Sequence, residues 1–194
     1  MLQPKPVRKR NPATQLGGLP ANLKRNVGDF WQWAYSDVLQ NTTRGVLAEY
    51  ILAVLLEIDQ QPRVPWDAYD LKLKDGTTVE VKTMSKLQGW AQQKLTTPAV
   101  ILKPTREWDF KTGKMKLEPS FNAQVYAICY FTAETHEEAD PLNLDQWRFY
   151  FLSRNKLISI LDGRKTLSLK HLEAAGVPAY RASEVKDALK GVGK

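Results

Sequence analysis

One cysteine stands among the 194 residues. Cys129 lies in the apolar run VYAICYF, so no disulfide can form within this sequence, and the run predicts a buried core thiol. A lone thiol of this kind fits a reducing, intracellular setting. Histidine is almost as scarce. His136 and His171 are far apart, with no Cys or His at metal-ligand spacing, so a zinc site has no support. No apolar run reaches the length of a membrane span, and the basic N-terminus is not followed by the apolar stretch of a signal peptide. We therefore expect a cytoplasmic protein without a membrane partner. Also missing are the G-x-x-x-x-G-K-[ST], G-x-G-x-x-G and G-x-S-x-G patterns, which argues against nucleotide-driven and acyl-transfer chemistry.

Acid is missing from one region only. Residues 1–26 hold Lys5, Arg8, Lys9, Arg10, Lys24 and Arg25 and no Asp or Glu. Of the 28 basic and 21 acidic residues in the chain, these six leave 22 against 21 for the remainder. The net charge of +7 is thus concentrated in a short segment. Its prolines and the Gly17-Gly18 pair make it poor material for helix or strand, so residues 1–26 read as a flexible basic arm and residues 27–194 as one domain. Arg8, Lys9 and Arg10 suit phosphate contacts that are salt-dependent and blind to sequence. A solubilising tail would show the same composition.

What is present is ordered into clear periods. Phe30, Trp31, Ala34, Tyr35 and Val38 are spaced for one buried helical face, and Asn41-Thr42-Thr43 would cap a second helix over residues 43–57. That helix, RGVLAEYILAVLLE, is apolar nearly all round, which predicts deep packing; Glu49 is its exception. Two short alternating runs follow as a hairpin, YDLKLKDGTTVEVK. Then come a polar segment, SKLQGWAQQKL, and strands at AVILK, 124–132 and 147–152. An excursion over 104–122 turns at Lys111-Thr112-Gly113. Ser153, Ser168 and Ser183 are placed to cap short C-terminal helices, with Gly176 and Gly191 as stops. The order predicts an α/β fold, a mixed sheet covered by helices.

The hairpin carries the chemistry. A two-residue Asp75-Gly76 turn would put Asp70 and Glu80 on opposite faces. A three-residue loop, Lys74-Asp75-Gly76 with Gly76 left-handed, shifts the pairing by one and sets Asp70 opposite Glu80. Only this register gathers Leu71, Leu73, Val79 and Val81 on one face. Two carboxylates about 5 Å apart repel by roughly 3 kcal/mol at an effective dielectric of 20, which a divalent cation or an ammonium group reverses. Oxygen-only ligands suit Mg²⁺ or Mn²⁺. Lys82, on the same face as Glu80, would then hold a phosphate oxygen or position an attacking water. The pattern also fits a merely solvated hairpin face with weak cross-strand pairs.

Helix-Glu, strand-Asp and strand-Glu-x-Lys, in that order, resemble the PD-(D/E)xK nuclease superfamily. RGVLAEYILA, WDAYDL, VEVKTMSKLQGWAQ and WRFYFL look similar to an uncharacterised bacterial family within it, over roughly residues 40–153. The resemblance implies a restriction-endonuclease-like αβββαβ core, with extra N- and C-terminal helices, and Mg²⁺-dependent hydrolysis of phosphodiesters, usually in DNA, with RNA also open. It makes Asp70 and Glu80 metal-binding acids, Lys82 the motif lysine, and Glu49 the helix acid near the metal. Gln88 or Gln92 matches a glutamine that some members place after the motif. Tyr69 stands where the family has Pro, and Pro65-Trp66-Asp67 offers Asp67 as a rival acid. Trp90 would stack on a base or close the edge of the core. A homodimer is allowed, as is retention of the fold in a nucleic-acid-binding protein without turnover.

Overall fold

In the computed structural model, which describes residues 7–63, 68–106, 108–109, 114–115 and 117–192, helices α1 (Val27–Tyr35) and α2 (Asn41–Leu55) come first. They are followed by strands β1 (Leu71–Lys72), β2 (Thr78–Ser85), β3 (Ala99–Ile101), β4 (Trp108–Asp109), β5 (Lys114–Met115), β6 (Val125–Phe131) and β7 (Trp147–Ser153). Helix α3 (Arg154–Leu161), strand β8 (Thr166–Ser168) and helices α4 (Leu169–Ala174) and α5 (Val185–Lys190) complete the chain.

The main sheet has the order β1-β2-β6-β7, with β2 and β6 parallel and the outer pairs antiparallel. Every residue of β6 is buried, because the continuous run VYAICYF sits at the centre and is covered on both faces. On one face Val79, Val81, Ala127, Phe149 and Phe151 pack against Ala48, Ile51 and Leu52 of α2 and Val185 and Leu189 of α5. On the other, Tyr126, Ile128, Tyr150 and Leu152 meet Leu157 and Leu161 of α3 and the β3-β8 pair. Trp147, fully buried, satisfies its indole N–H on the Pro141 carbonyl at 2.9 Å.

The α/β class and the helix-covered mixed sheet therefore stand. Among the described residues no strand precedes the hairpin and no helix lies between β2 and β6; the described part of the parallel crossover is irregular chain and short strands. The turn expected at Lys111-Thr112-Gly113 lies outside the described residues, although β4 and β5 pair antiparallel on either side of it. Helix α2 starts earlier than its Thr residues suggest: Gln40 is the cap, its side-chain oxygen accepting from the N–H groups of Thr42 and Thr43 at 2.8 and 3.1 Å. It is also one-sided rather than deeply packed. Tyr50 is 60% and Val54 43% exposed, since α2 covers an outer face of the sheet instead of lying between two layers. Ser153 and Ser168 cap α3 and α4 as expected, whereas Ser183 lies inside a short 3-10 turn and caps nothing.

The expected buried face of α1 is absent. No residue of this helix is buried, and every residue from Phe30 to Asp37 is exposed. Apolar spacing creates a core face only where another element covers it, and none does here. The preceding segment, in contrast, is tied locally. Gln15 bridges Asn26, the Val27 N–H donates to the Thr14 carbonyl at 2.9 Å, and the Gly28 N–H to that of Pro12 at 2.8 Å. Asn26 caps α1 reciprocally with Asp29.

The hairpin takes the three-residue loop. Leu71 pairs with Val79 and Lys72 with Thr78, the Gly76 N–H donates to the Leu73 carbonyl at 3.0 Å, and Gly76 has φ +92°. A side chain at Gly76 would meet no atom within 4 Å, so only backbone conformation selects glycine there. Gly76→Val is accordingly expected to cost about 1–2 kcal/mol, and Gly76→Asn, which tolerates this region, less than half of that. Urea denaturation of the two variants checks it; equal costs would show that the loop is not held left-handed.

Candidate active site

Residues two apart in a strand turn their main-chain groups to the same edge. Val79 uses its carbonyl to accept the Asp70 N–H at 3.0 Å, so Val81 also faces the β1 side. But β1 is only two residues long, and the chain bends at residues 68–70. The ladder therefore runs out beside Val81, and a side chain takes over: Asp70 Oδ2 accepts the Val81 N–H at 2.7 Å. Tyr69 anchors the bend by packing against the second core. Asp70 thus presents its carboxylate in the plane of the sheet, at the open edge of β2.

Charged groups come toward this edge from both faces of the sheet. Glu80 and Lys82 project from β2 on the side of Tyr126 and Ile128, their register partners on β6. Glu49 comes from α2, which covers the opposite side. Lys82 Nζ pairs with Glu80 Oε1 and lies 3.3 Å from the Val81 carbonyl, the acceptor left over where the ladder stops. Glu49, 8% exposed, is held by the Arg63 guanidinium, which donates through Nη2 to Oε1 at 2.8 Å and through Nε to Oε2. Such a two-pronged pairing fixes both oxygens of the acid.

The charges act on one another. Burial pushes Glu49 above the usual carboxylate range; Arg63 opposes the shift and Asp70 adds to it. Burial likewise pushes Glu80 up, reinforced by Asp70 and Glu49 and opposed by Lys82. Burial and then the Glu80 charge push Tyr126 up to about 12, so its phenol stays protonated beside the site. The buried Cys129 thiol is pushed up by burial and, secondarily, by Asp70.

Asp70, Glu80, Lys82 and Glu49 are thus brought into one neighbourhood. Their donor set, three carboxylates and one main-chain carbonyl, is all oxygen and fits a hard divalent cation such as Mg²⁺ or Mn²⁺. As placed, however, two of the acids are occupied by protein cations, and among the described residues no three His, Cys, Asp or Glu side chains form a ready metal cage. The rival Asp67 lies outside the described residues. Arg63 was not legible in the sequence, because it reaches Glu49 from an irregular segment that has no periodicity to mark it.

The candidates after the motif behave differently. Gln88 is 9% exposed, and its amide donates to the Ser85 carbonyl and to Thr96 Oγ1 at 3.2 and 3.0 Å. Gln92 accepts from the Gln88 N–H at 2.7 Å and donates to the carbonyls of Lys86 and Lys94. Both glutamines therefore brace the loop that follows β2. Trp90 does not close the core; it is 56% exposed. Arg8, Lys9 and Arg10 are exposed, with Lys9 Nζ 4.0 Å from Asp59.

Comparison with protein-family models, curated proteins and solved structures finds no match to this chain.

Arg63→Ala leaves Glu49 unpaired in a mostly buried position. Because the Glu49 pKa is raised in the fold, its ionisation costs stability as pH rises, and loss of Arg63 enlarges that cost. The variant is expected to lose about 1–2 kcal/mol at pH 7 and progressively less toward pH 4, where Glu49 is protonated. Denaturant unfolding across that range measures it. A loss that does not vary with pH would mean the pair contributes no charge interaction.

Proposed function

We propose that the chain is a metal-dependent nuclease that hydrolyses phosphodiester bonds, in DNA first and RNA second, on a restriction-endonuclease-like core. The observation that carries this reading is the Asp70 carboxylate held at the open edge of β2 by the Val81 N–H, with Glu80, Lys82 and Glu49 around it. Further support comes from the order of the elements: a helix bearing Glu49, a hairpin bearing Asp70 and then Glu80-Val81-Lys82, and a parallel neighbour for the second hairpin strand.

Asp70, Glu80 and Glu49 would hold Mg²⁺ or Mn²⁺. The bound cation supplies neutralisation of phosphate charge and a lowered pKa for the attacking water. Lys82, released from Glu80, orients that water or binds a nonbridging phosphate oxygen. Arg63, released from Glu49, offers a planar fork matched to phosphate. In the absence of substrate the two ion pairs hold these four charges in place. Among the described residues the crossover from β2 to β6 holds no helix, a departure from the αβββαβ order. The reading of a binding protein without turnover draws on the same occupied acids: with Arg63 and Lys82 already neutralising them, the site is self-consistent without a cation.

Incubation with plasmid, linear, single-stranded and branched DNA and with RNA, in Mg²⁺, Mn²⁺ or EDTA, decides between the two. Cleavage is expected only with the divalent ions, and Glu80→Ala or Lys82→Ala should slow it by at least about 100-fold. Cleavage that survives in these variants would overturn the site. Retarded but uncut nucleic acid would favour the binding protein.

A further inference from the structure

We infer that α1 and the basic segment before it form a platform for single-stranded nucleic acid, with unpaired bases stacked on the helix aromatics and the sugar-phosphate strand running along the neighbouring cations. This deepens the nuclease reading by naming a substrate class, and its binding half stands without the chemistry.

The aromatics are dense and uncovered. At about 100° per residue, Phe30, Trp31 and Tyr35 fall on one side of α1 and Trp33 on the flank beyond Phe30, about 160° from Trp31 and Tyr35, so the four rings wrap about 200° of the helix and leave only the arc of Asp29 and Gln32 free of aromatics. Trp33 is 86% exposed and Phe30, Tyr35 and Trp31 are 48%, 49% and 38% exposed. Phe30 and Tyr35 brace each other edge to face at 6.4 Å, which orders the side without covering it. An isolated surface tryptophan needs no explanation, but four aromatic rings within six residues of an uncovered helix do.

The charge beside them selects the occupant. Arg8, Lys9, Arg10, Lys24 and Arg25 are all exposed, and residues 7–26 contain no acid. Of these five, and among the described residues, only Lys9 comes within 4.0 Å of a carboxylate, that of Asp59. The nearest acids along the chain are engaged at helix ends, Asp29 with the Asn26 N–H and Asp37 with the Gln40 N–H. Aromatic rings interleaved with unpaired cations bind a polyanion whose bases are free to stack. A duplex keeps its bases inside and offers the rings nothing.

The platform adjoins the site. Helix α1 runs through residues 36–40 into α2, which carries Glu49, held by Arg63. On the other side, the buried Arg44 guanidinium donates to the carbonyls of Leu39 and Leu87 at 3.1 and 3.4 Å, fixing the α1–α2 connector against the loop that carries Trp90. A Cβ on Gly89 would lie 3.1 Å from Gln40 Cα, so these segments are in direct contact. Trp90, 56% exposed, is a further uncovered ring on that loop, beyond the end of β2.

Fluorescence anisotropy of labelled oligo-dT, oligo-U and a blunt DNA duplex of equal length, titrated with the full chain in EDTA, tests the inference apart from cleavage. We expect single strands to bind at least about tenfold more tightly than duplex, and Trp31→Ala with Trp33→Ala to remove about tenfold or more of the single-strand affinity while leaving duplex binding nearly unchanged. Both positions are exposed, so an unchanged unfolding midpoint verifies that the variant is folded. The two single-stranded probes separate a deoxyribose from a ribose preference, either of which supports the platform. Equal affinity for duplex, or no effect of the tryptophan pair, overturns it. The segment also exposes Leu16, Leu19 and Leu23. Sedimentation showing a dimer that the tryptophan pair dissolves would assign the surface to a second copy of this chain and overturn it too. Failure to cleave with single-strand binding intact refutes the nuclease reading alone.

Discussion

The hydrogen bond from the Val81 N–H to Asp70 Oδ2 decides where every other group of the site can act. A full-length first strand would have satisfied that N–H with a carbonyl, and the edge of β2 would have been closed. Because β1 is two residues long, a carboxylate substitutes for a missing peptide group and is held in the sheet plane. From there it acts on Glu80 on one side and Glu49 on the other. The leftover Val81 carbonyl faces the same edge, beside the Lys82 ammonium.

Concentrating carboxylates at a partly buried edge is costly unless cations are close. The fold supplies two, each bound to one acid: Arg63 on Glu49 and Lys82 on Glu80. Both acids are nevertheless pushed above the usual range, first by burial and then by the Asp70 charge. A divalent cation would offset both the burial of these carboxylates and the smaller repulsion from Asp70.

The hairpin was legible because two local signals agree: alternation fixes which residues share a face, and Gly76 marks the left-handed loop position that sets register. Strands β6 and β7 were legible as apolar runs. What could not be read depends on contacts between distant segments. Arg63 meets Glu49 across an irregular stretch, and the loop after β2 consumes Gln88 and Gln92 in its own hydrogen bonds. The spacing in α1 looks like a core face, yet periodicity reports only that apolar groups share a side, never that anything covers it. The parallel link from β2 to β6 escaped for a related reason, since the described part of the crossover holds no helix whose period would announce it.

The central claim is that the edge of β2 is a divalent-cation site. Anomalous scattering from crystals of the full chain grown in Mn²⁺ tests it most directly. The account predicts one strong peak within ligand distance of the Asp70 and Glu80 carboxylates, with the Lys82 ammonium displaced from Glu80. Density that leaves Asp70, Glu80 and Lys82 as described, with no Mn²⁺ peak beside them, would contradict it.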